Sequence, residues 1–214
     1  MKKDFFEKPE VLKESWPGAF TGIEGAWFNT IIEMPSPIAV VSGWKSNGKE
    51  NACLQGCISF SGTKGELVCV LSWVNMEGHM YQALKESGCC VVNFFSRNLK
   101  DKCFDTIKNN GFDTDEITAS GLTSEMALKV NAPRIKECFM NVECEYLWEH
   151  ELLPGKSPVA VVALKVVNVS LDSEYFDPTK RFSKDGFFFL AEGANPVSGE
   201  TVLYESEVIK CIGQ

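Results

Sequence analysis

The chain has 214 residues, a formal net charge of -8 and a pI of about 4.9. That length suits one domain with a full core, and 44% hydrophobic with 23% charged residues is ordinary for a globular protein. The acidic balance argues against a nucleic-acid partner, because phosphate binding needs a basic face, and no apolar run is long enough to span a bilayer.

Residues 1–33 carry mixed charge, then Trp16, Phe20, Trp27 and Phe28, with glycines at 18, 22 and 25 breaking any period. They read as an N-terminal extension packing on the domain formed by 34–214, with a short helix over 10–15. The aromatics would otherwise leave large apolar area in water. The start of the chain lacks the apolar core of a secretory signal, and the nine cysteines are odd in number. Both features point to a cytoplasmic protein with reduced thiols.

The stretch 34–60 is the one around which the remaining elements are arranged. Pro35 and Pro37 lead a rigid chain into a strand ending at Trp44, Asn47-Gly48 signals a type I′ hairpin, and a second strand opens into a backbone-rich loop over 51–57. A β-prone strand covers 66–73. A short helix covers 80–86, with Gly88 suited to its left-handed end. The continuous apolar run 89–95 reads as a buried strand. Ser96 suits the cap of a helix whose Leu99, Cys103 and Ile107 share one face, and Asn110-Gly111 ends it. A short helix is expected over 124–129. Long strands over 139–147 and 157–169 form a hairpin across Pro154-Gly155-Lys156, and 187–190 and 201–208 supply late strands. Six to eight strands with two or three helices make a mainly β fold, a β-barrel with accessory helices.

The order of Pro35-Ser36-Pro37-Ile38, strand, turn and Asn51-Ala52 resembles the flavin reductase-like, FMN-binding split-barrel family, including flavoredoxin-type members. So do the later Gly121-Leu122-Thr123, Ala132-Pro133-Arg134-Ile135 and the Glu/Cys-rich strand over 142–146. The resemblance covers roughly 34–169. It implies a homodimer with FMN near the subunit interface, taking hydride from NADH or NADPH and passing electrons to a small-molecule or protein acceptor. The alternative is a non-enzymatic FMN electron carrier, or a barrel without flavin. By the same resemblance, Asn51, Ala52, Cys53, Leu54, Gln55, Gly56 and Cys57 hold the ring edge and ribityl chain, mostly through main-chain amides. The segment Ser72, Trp73, Asn75, His79 and Tyr81 links a strand end to a helix start, where free amides and the helix dipole favour phosphate. The family's usual Arg or Lys and Thr fall at Glu77, Gly78 and Met80 here, so anchoring is left to Asn75, His79 and Tyr81.

Other chemistry is weakly supported. Cys53 and Cys57 lack the C-x2-C spacing of structural zinc, and no metal is expected. With His79 and His150 as the sole histidines and no Gly-x-Ser-x-Gly elbow, hydrolase catalysis has no basis. No catalytic acid or base is assigned, because the flavin carries the chemistry. Glu143 and Glu145 share a strand face, expected to be solvated. Lys180 and Arg181 are candidates to reach a cofactor phosphate or a nicotinamide dinucleotide.

Overall fold

The computed structural model describes residues 34–194 and 201–206, with Lys2, Asp4, Phe6, Glu7, Glu10 and Ile32 before them. The expected extension, its helix over 10–15 and Cys211 lie outside the described residues. Two units separate, Pro37–Phe188 being the body of one, and Met1–Ser36 with Phe189–Ser206 making the other.

The larger unit is built on seven antiparallel strands. In chain order they are β2 (Ala39–Trp44), β3 (Glu50–Gln55), β4 (Ile58–Thr63), β5 (Glu66–Asn75), β6 (Cys89–Phe94), β9 (Met140–Glu151) and β10 (Val159–Leu171). Their order in the sheet is β3-β2-β6-β9-β10-β5-β4. The two edge strands are therefore consecutive in sequence. Laid flat, seven strands at roughly 4.8 Å spacing span roughly 29 Å. The link from Gln55 to Ile58 reaches at most about 11 Å. The sheet must roll until its edges meet at that end, and β3 and β4 stay unpaired beyond it. This is a split β-barrel, with Val41, Leu71, Val92, Val142 and Leu164 among its buried interior residues.

Helix α1 (His79–Ser87) packs Met80, Tyr81 and Leu84 into that core and ends at Gly88, whose φ of 71° and N–H bond to the Leu84 carbonyl make the left-handed cap. A turn of 3-10 helix (Arg97–Leu99) precedes α2 (Lys100–Lys108); Ser96 makes no cap bond, and its hydroxyl meets Asn98 instead. Ile107, expected on the inward face, is exposed, and α2 buries Cys103 and Thr106. A further short helix, α3 (Glu116–Ala119), was not foreseen.

The hairpin at Asn47-Gly48 forms with a different turn from the one expected. Only Gly48 has positive φ, and Lys45 accepts from Gly48 N–H at 2.8 Å, so the turn proper is 45–48 with glycine as the left-handed bulge residue. The strand pair β4–β5 closes on Lys64-Gly65 with φ of 53° and 82°, the positive pair that a type I′ turn requires.

The expected helix over 124–129 is instead strand β7 (Ser124–Met126), paired with β8 (Pro133–Ile135). The loop between them donates the amides of Leu128, Lys129 and Val130 to Glu143 at 3.0, 2.6 and 3.3 Å, and Asn168 adds a fourth bond at 2.8 Å. Glu143 is fully buried, so the solvated face expected for it belongs to Glu145 alone. Its burial pushes the carboxyl up, but the three amides and Asn168 prevail and hold it below the usual range. Three further strands, β1 (Ser36–Pro37), β11 (Phe189–Ala194) and β12 (Thr201–Ser206), form a sheet in the order β1-β11-β12. The late strand thus begins at Phe189, not Phe187.

Candidate functional site

Strand β3 is an edge, and its outward amides belong to even-numbered residues. Asp115 Oδ1 accepts from Glu50 N–H at 3.2 Å, and Glu116 Oε2 accepts from Ala52 N–H at 2.7 Å. The other oxygen of Glu116 takes Lys45 Nζ at 2.8 Å, with both side chains 1% exposed. Lys45 spends its remaining donors on the carbonyls of Gly111 and Thr114, each at 2.7 Å. The Ala52 amide expected at the flavin edge is therefore occupied by a carboxylate of the same chain, and the Ala52 side chain is buried. Asn51–Gln55 lie within the strand rather than in a loop, which shrinks to Gly56 and Cys57. Alternation brings the Leu54 amide to the same edge, where neither Asp115 nor Glu116 bonds it, and helix α2 lies beside this strand.

Past Leu54 the backbone is strained. Cys57 and Trp73, neither a glycine, have φ of 53° and 65°. Trp73 sits in a bulge, since Ser72 and Trp73 together oppose Val161 between the pairs Leu71–Val162 and Val74–Ala160. The two strained points are tied together. Cys57 accepts from Ser72 N–H at 3.2 Å, and Gln55 Nε2 donates to the carbonyls of Gly56 at 2.8 Å and Ser72 at 2.9 Å. Strain of this kind costs about 1–3 kcal/mol per residue and persists where surroundings over-determine it. Nearby on β3, Asn51 is 2% exposed and its Nδ2 has no partner among the described residues. The half-buried Cys53 thiol is pushed up to about 11, first by burial and then by the Glu116 carboxylate, so it stays protonated near neutrality and is a poor electron-exchanging thiolate.

From Asn75 the chain turns into α1. Gly78 caps the helix without a side-chain bond, and the first turn holds no acid. Its opening amides are free of a side-chain cap, which suits an anion. Asn75, which is exposed, accepts from Glu77 N–H at 3.0 Å through Oδ1 and so shapes the turn. His79 opens the helix with Nδ1 at 3.1 Å from Asn110 Oδ1 and 3.8 Å from Glu116 Oε1, its ring edge-on to Phe112. Tyr81 departs from its expected role. Its hydroxyl donates to Glu149 Oε1 at 2.7 Å beside Lys85, and burial, then that carboxylate, raise it to about 12. Lys180 is likewise taken, by Glu174 and the Tyr175 ring, while Arg181 keeps a buried Nε with no partner among the described residues.

The structure thus gathers Gln55, Gly56, Cys57, Ser72 and Trp73 into one rim, with Leu54 just before it on β3 and His79 at the helix start. It removes Ala52 and Tyr81 from any outward role. Lys45 and Glu116, which fix the whole corner, were missed, since 113–116 reads as an ordinary polar loop. Two orphan features fit a planar polar ligand with an anionic tail: the unpaired Asn51 amide and the uncapped start of α1.

The fold and rim define a split barrel of the flavin-handling class. The family description "flavin reductase like domain" matches residues 31–190, and the chain belongs to that family. A protein of Methanothermobacter thermautotrophicus is 26% identical over 164 residues, 77% of this chain and 74% of its own. A solved protein with a split barrel domain from Shewanella frigidimarina superposes with a TM-score of 0.73 at 14% identity, covering 99% of this chain and 100% of the other. Flavoredoxin of Desulfovibrio vulgaris gives 0.64 at 17% identity, covering 94% and 97%. No helix among the described residues is long and apolar enough to cross a membrane.

Proposed function

We propose that this chain is an FMN-binding oxidoreductase of the cytoplasm, acting as a homodimer and using NADH or NADPH. FMN, when bound, supplies the redox chemistry, taking hydride from the nicotinamide and passing electrons to a small-molecule or protein acceptor. The observation that carries this is the rim where Cys57 and Trp73 hold positive φ past the end of β3, with Asn75 two residues and the uncapped start of α1 six residues beyond Trp73. Bulged and strained backbone clusters where ligands are held. The Leu54 amide and the rim at 55–57 would hold the polar ring edge. The α1 amides and His79 would take the phosphate. The exposed Leu147, Trp148 and Val169 offer apolar area for a second copy.

The experiment is a titration of purified protein with FMN, followed by NADH or NADPH without oxygen. Saturable uptake with bleaching of the flavin bands is expected. Uptake without bleaching would make the protein an electron carrier, and no uptake would end the flavin reading. His79→Ala should raise the FMN Kd about 10-fold, a loss of about 1.4 kcal/mol.

A further inference from the structure

Away from that rim, the β7–β8 hairpin and the end of β10 border a half-open cleft of about 280 Å³. Two cross-strand pairs line it: Glu125 opposite Arg134, and Asn141 opposite Ser170. Arg134 bridges them, donating from Nη1 to Ser170 Oγ at 3.0 Å and from Nη2 to Glu125 Oε2 at 3.2 Å. Its Nε is buried and has no partner among the described residues. A guanidinium donor left unmatched in this way is costly, which leaves Arg134's charge only partly compensated by Ser170 and Glu125. Asn141 spends its NH2 on Asn93 Oδ1 at 2.8 Å and the Ile135 carbonyl at 3.0 Å, which leaves its own oxygen as the atom it can offer.

The charges divide by wall. Glu125 is shared between Arg134 and Lys136, whose Nζ lies 3.6 Å from Oε1, so that wall carries one net positive charge. The exposed Asp172 borders the same cleft, its main chain held by its N–H bond to the Phe139 carbonyl at 2.9 Å. Burial, then the nearby Glu174, hold that carboxyl above its usual range, as expected of an acid lacking a cation beside it.

We propose that this cleft binds a small zwitterion of the α-amino acid class, its carboxylate on the Arg134–Lys136 wall and its ammonium between Asp172 and the Asn141 oxygen. A simple anion would meet Glu125 and Asp172, and a simple cation would meet Arg134 and Lys136. Only a ligand carrying both signs matches each wall. The volume lies at the lower end of small-molecule sites and leaves no room for a dinucleotide.

The test screens the twenty amino acids against the full chain by thermal shift, at concentrations on the order of 10 mM, where a Kd of about 1 mM still saturates. Hits go to calorimetry, with glutarate and butylamine as single-sign controls. Saturable binding of at least one amino acid is expected, with both controls weaker by about 10-fold or more, or about 1.4 kcal/mol. Arg134→Lys and Asp172→Asn should each weaken it by a similar factor while FMN uptake is unchanged. Arg134→Lys also touches the Glu125–Ser170 bridge, so the near-isosteric Asp172→Asn decides if the hairpin loosens. No saturable amino acid, glutarate binding as tightly, or unaltered binding in Asp172→Asn overturns the proposal.

Discussion

The two halves of β3 treat the same problem in opposite ways. An edge strand exposes a row of unpaired amides, and proteins usually cover it. Over 50–52 the cover is complete, because Asp115 and Glu116 receive the outward amides and Lys45 neutralises the buried carboxylate. Over 54–57 neither acid bonds the backbone, and the chain bends into positive φ at Cys57 against Trp73. The clamped half fixes position. The second half carries strain that only a fixed neighbour can sustain, so the clamp and the rim are one device.

The largest effect comes from breaking the clamp. Glu116→Leu leaves the Lys45 ammonium buried without its counter-charge and the Ala52 amide without an acceptor. It should destabilise by about 3–5 kcal/mol, read as a lower urea midpoint at unchanged slope. Combining it with Lys45→Met should restore much of the loss, as expected when both members of a buried pair are replaced by apolar groups. A loss under about 1 kcal/mol for Glu116→Leu would mean that the pair does not hold the corner.

Glu143 is a second clamp, and it sharpens the contrast with a pH dependence. Glu143→Gln should cost about 2–3 kcal/mol near neutrality, because four donors lose an anionic acceptor. The folded carboxyl titrates below its unfolded value. Its contribution is therefore fully present above the ordinary carboxylate range and is lost as pH falls through the folded pKa. Urea midpoints of the wild type and Glu143→Gln should converge on acidification. A gap that stays constant with pH would show that the carboxylate's charge plays no part.

These clamps mark where sequence reading stopped. The hairpin signal at Asn47-Gly48, the helix closed by Gly88 and the apolar strands at β6 and β10 were legible because each is set by neighbours in sequence. Lys45 and Glu116 are 71 residues apart, and nothing local announces their meeting. The stretch 124–129 holds good helix formers, Glu125, Met126, Ala127, Leu128 and Lys129. A helix there would need amides that Glu143 takes instead. Alternation along β9 put Glu143 and Glu145 on one face correctly, but only the returning loop at 128–130 decides which of them sees water. The site was legible as the segments 51–57 and 72–79. Which amides were already spent was not, because the acceptors come from α3.

The smallest effect isolates the rim itself. Cys57 and Lys64 share a φ of 53°, one in the connector after β3 and one in the β4–β5 turn. A non-glycine residue in this region costs about 1–2 kcal/mol, partly offset by glycine's greater freedom when unfolded. Cys57→Gly and Lys64→Gly should each therefore raise stability by up to about 1 kcal/mol in urea denaturation. Their effects on flavin should part company. In the β4–β5 turn the strain serves only the hairpin, so FMN affinity should not change with Lys64→Gly. At the connector, glycine relaxes the backbone that Gln55 and Ser72 hold in place, and FMN affinity should fall as stability rises. Equal stabilisation with no change in FMN affinity for either variant would reduce the rim to an ordinary turn.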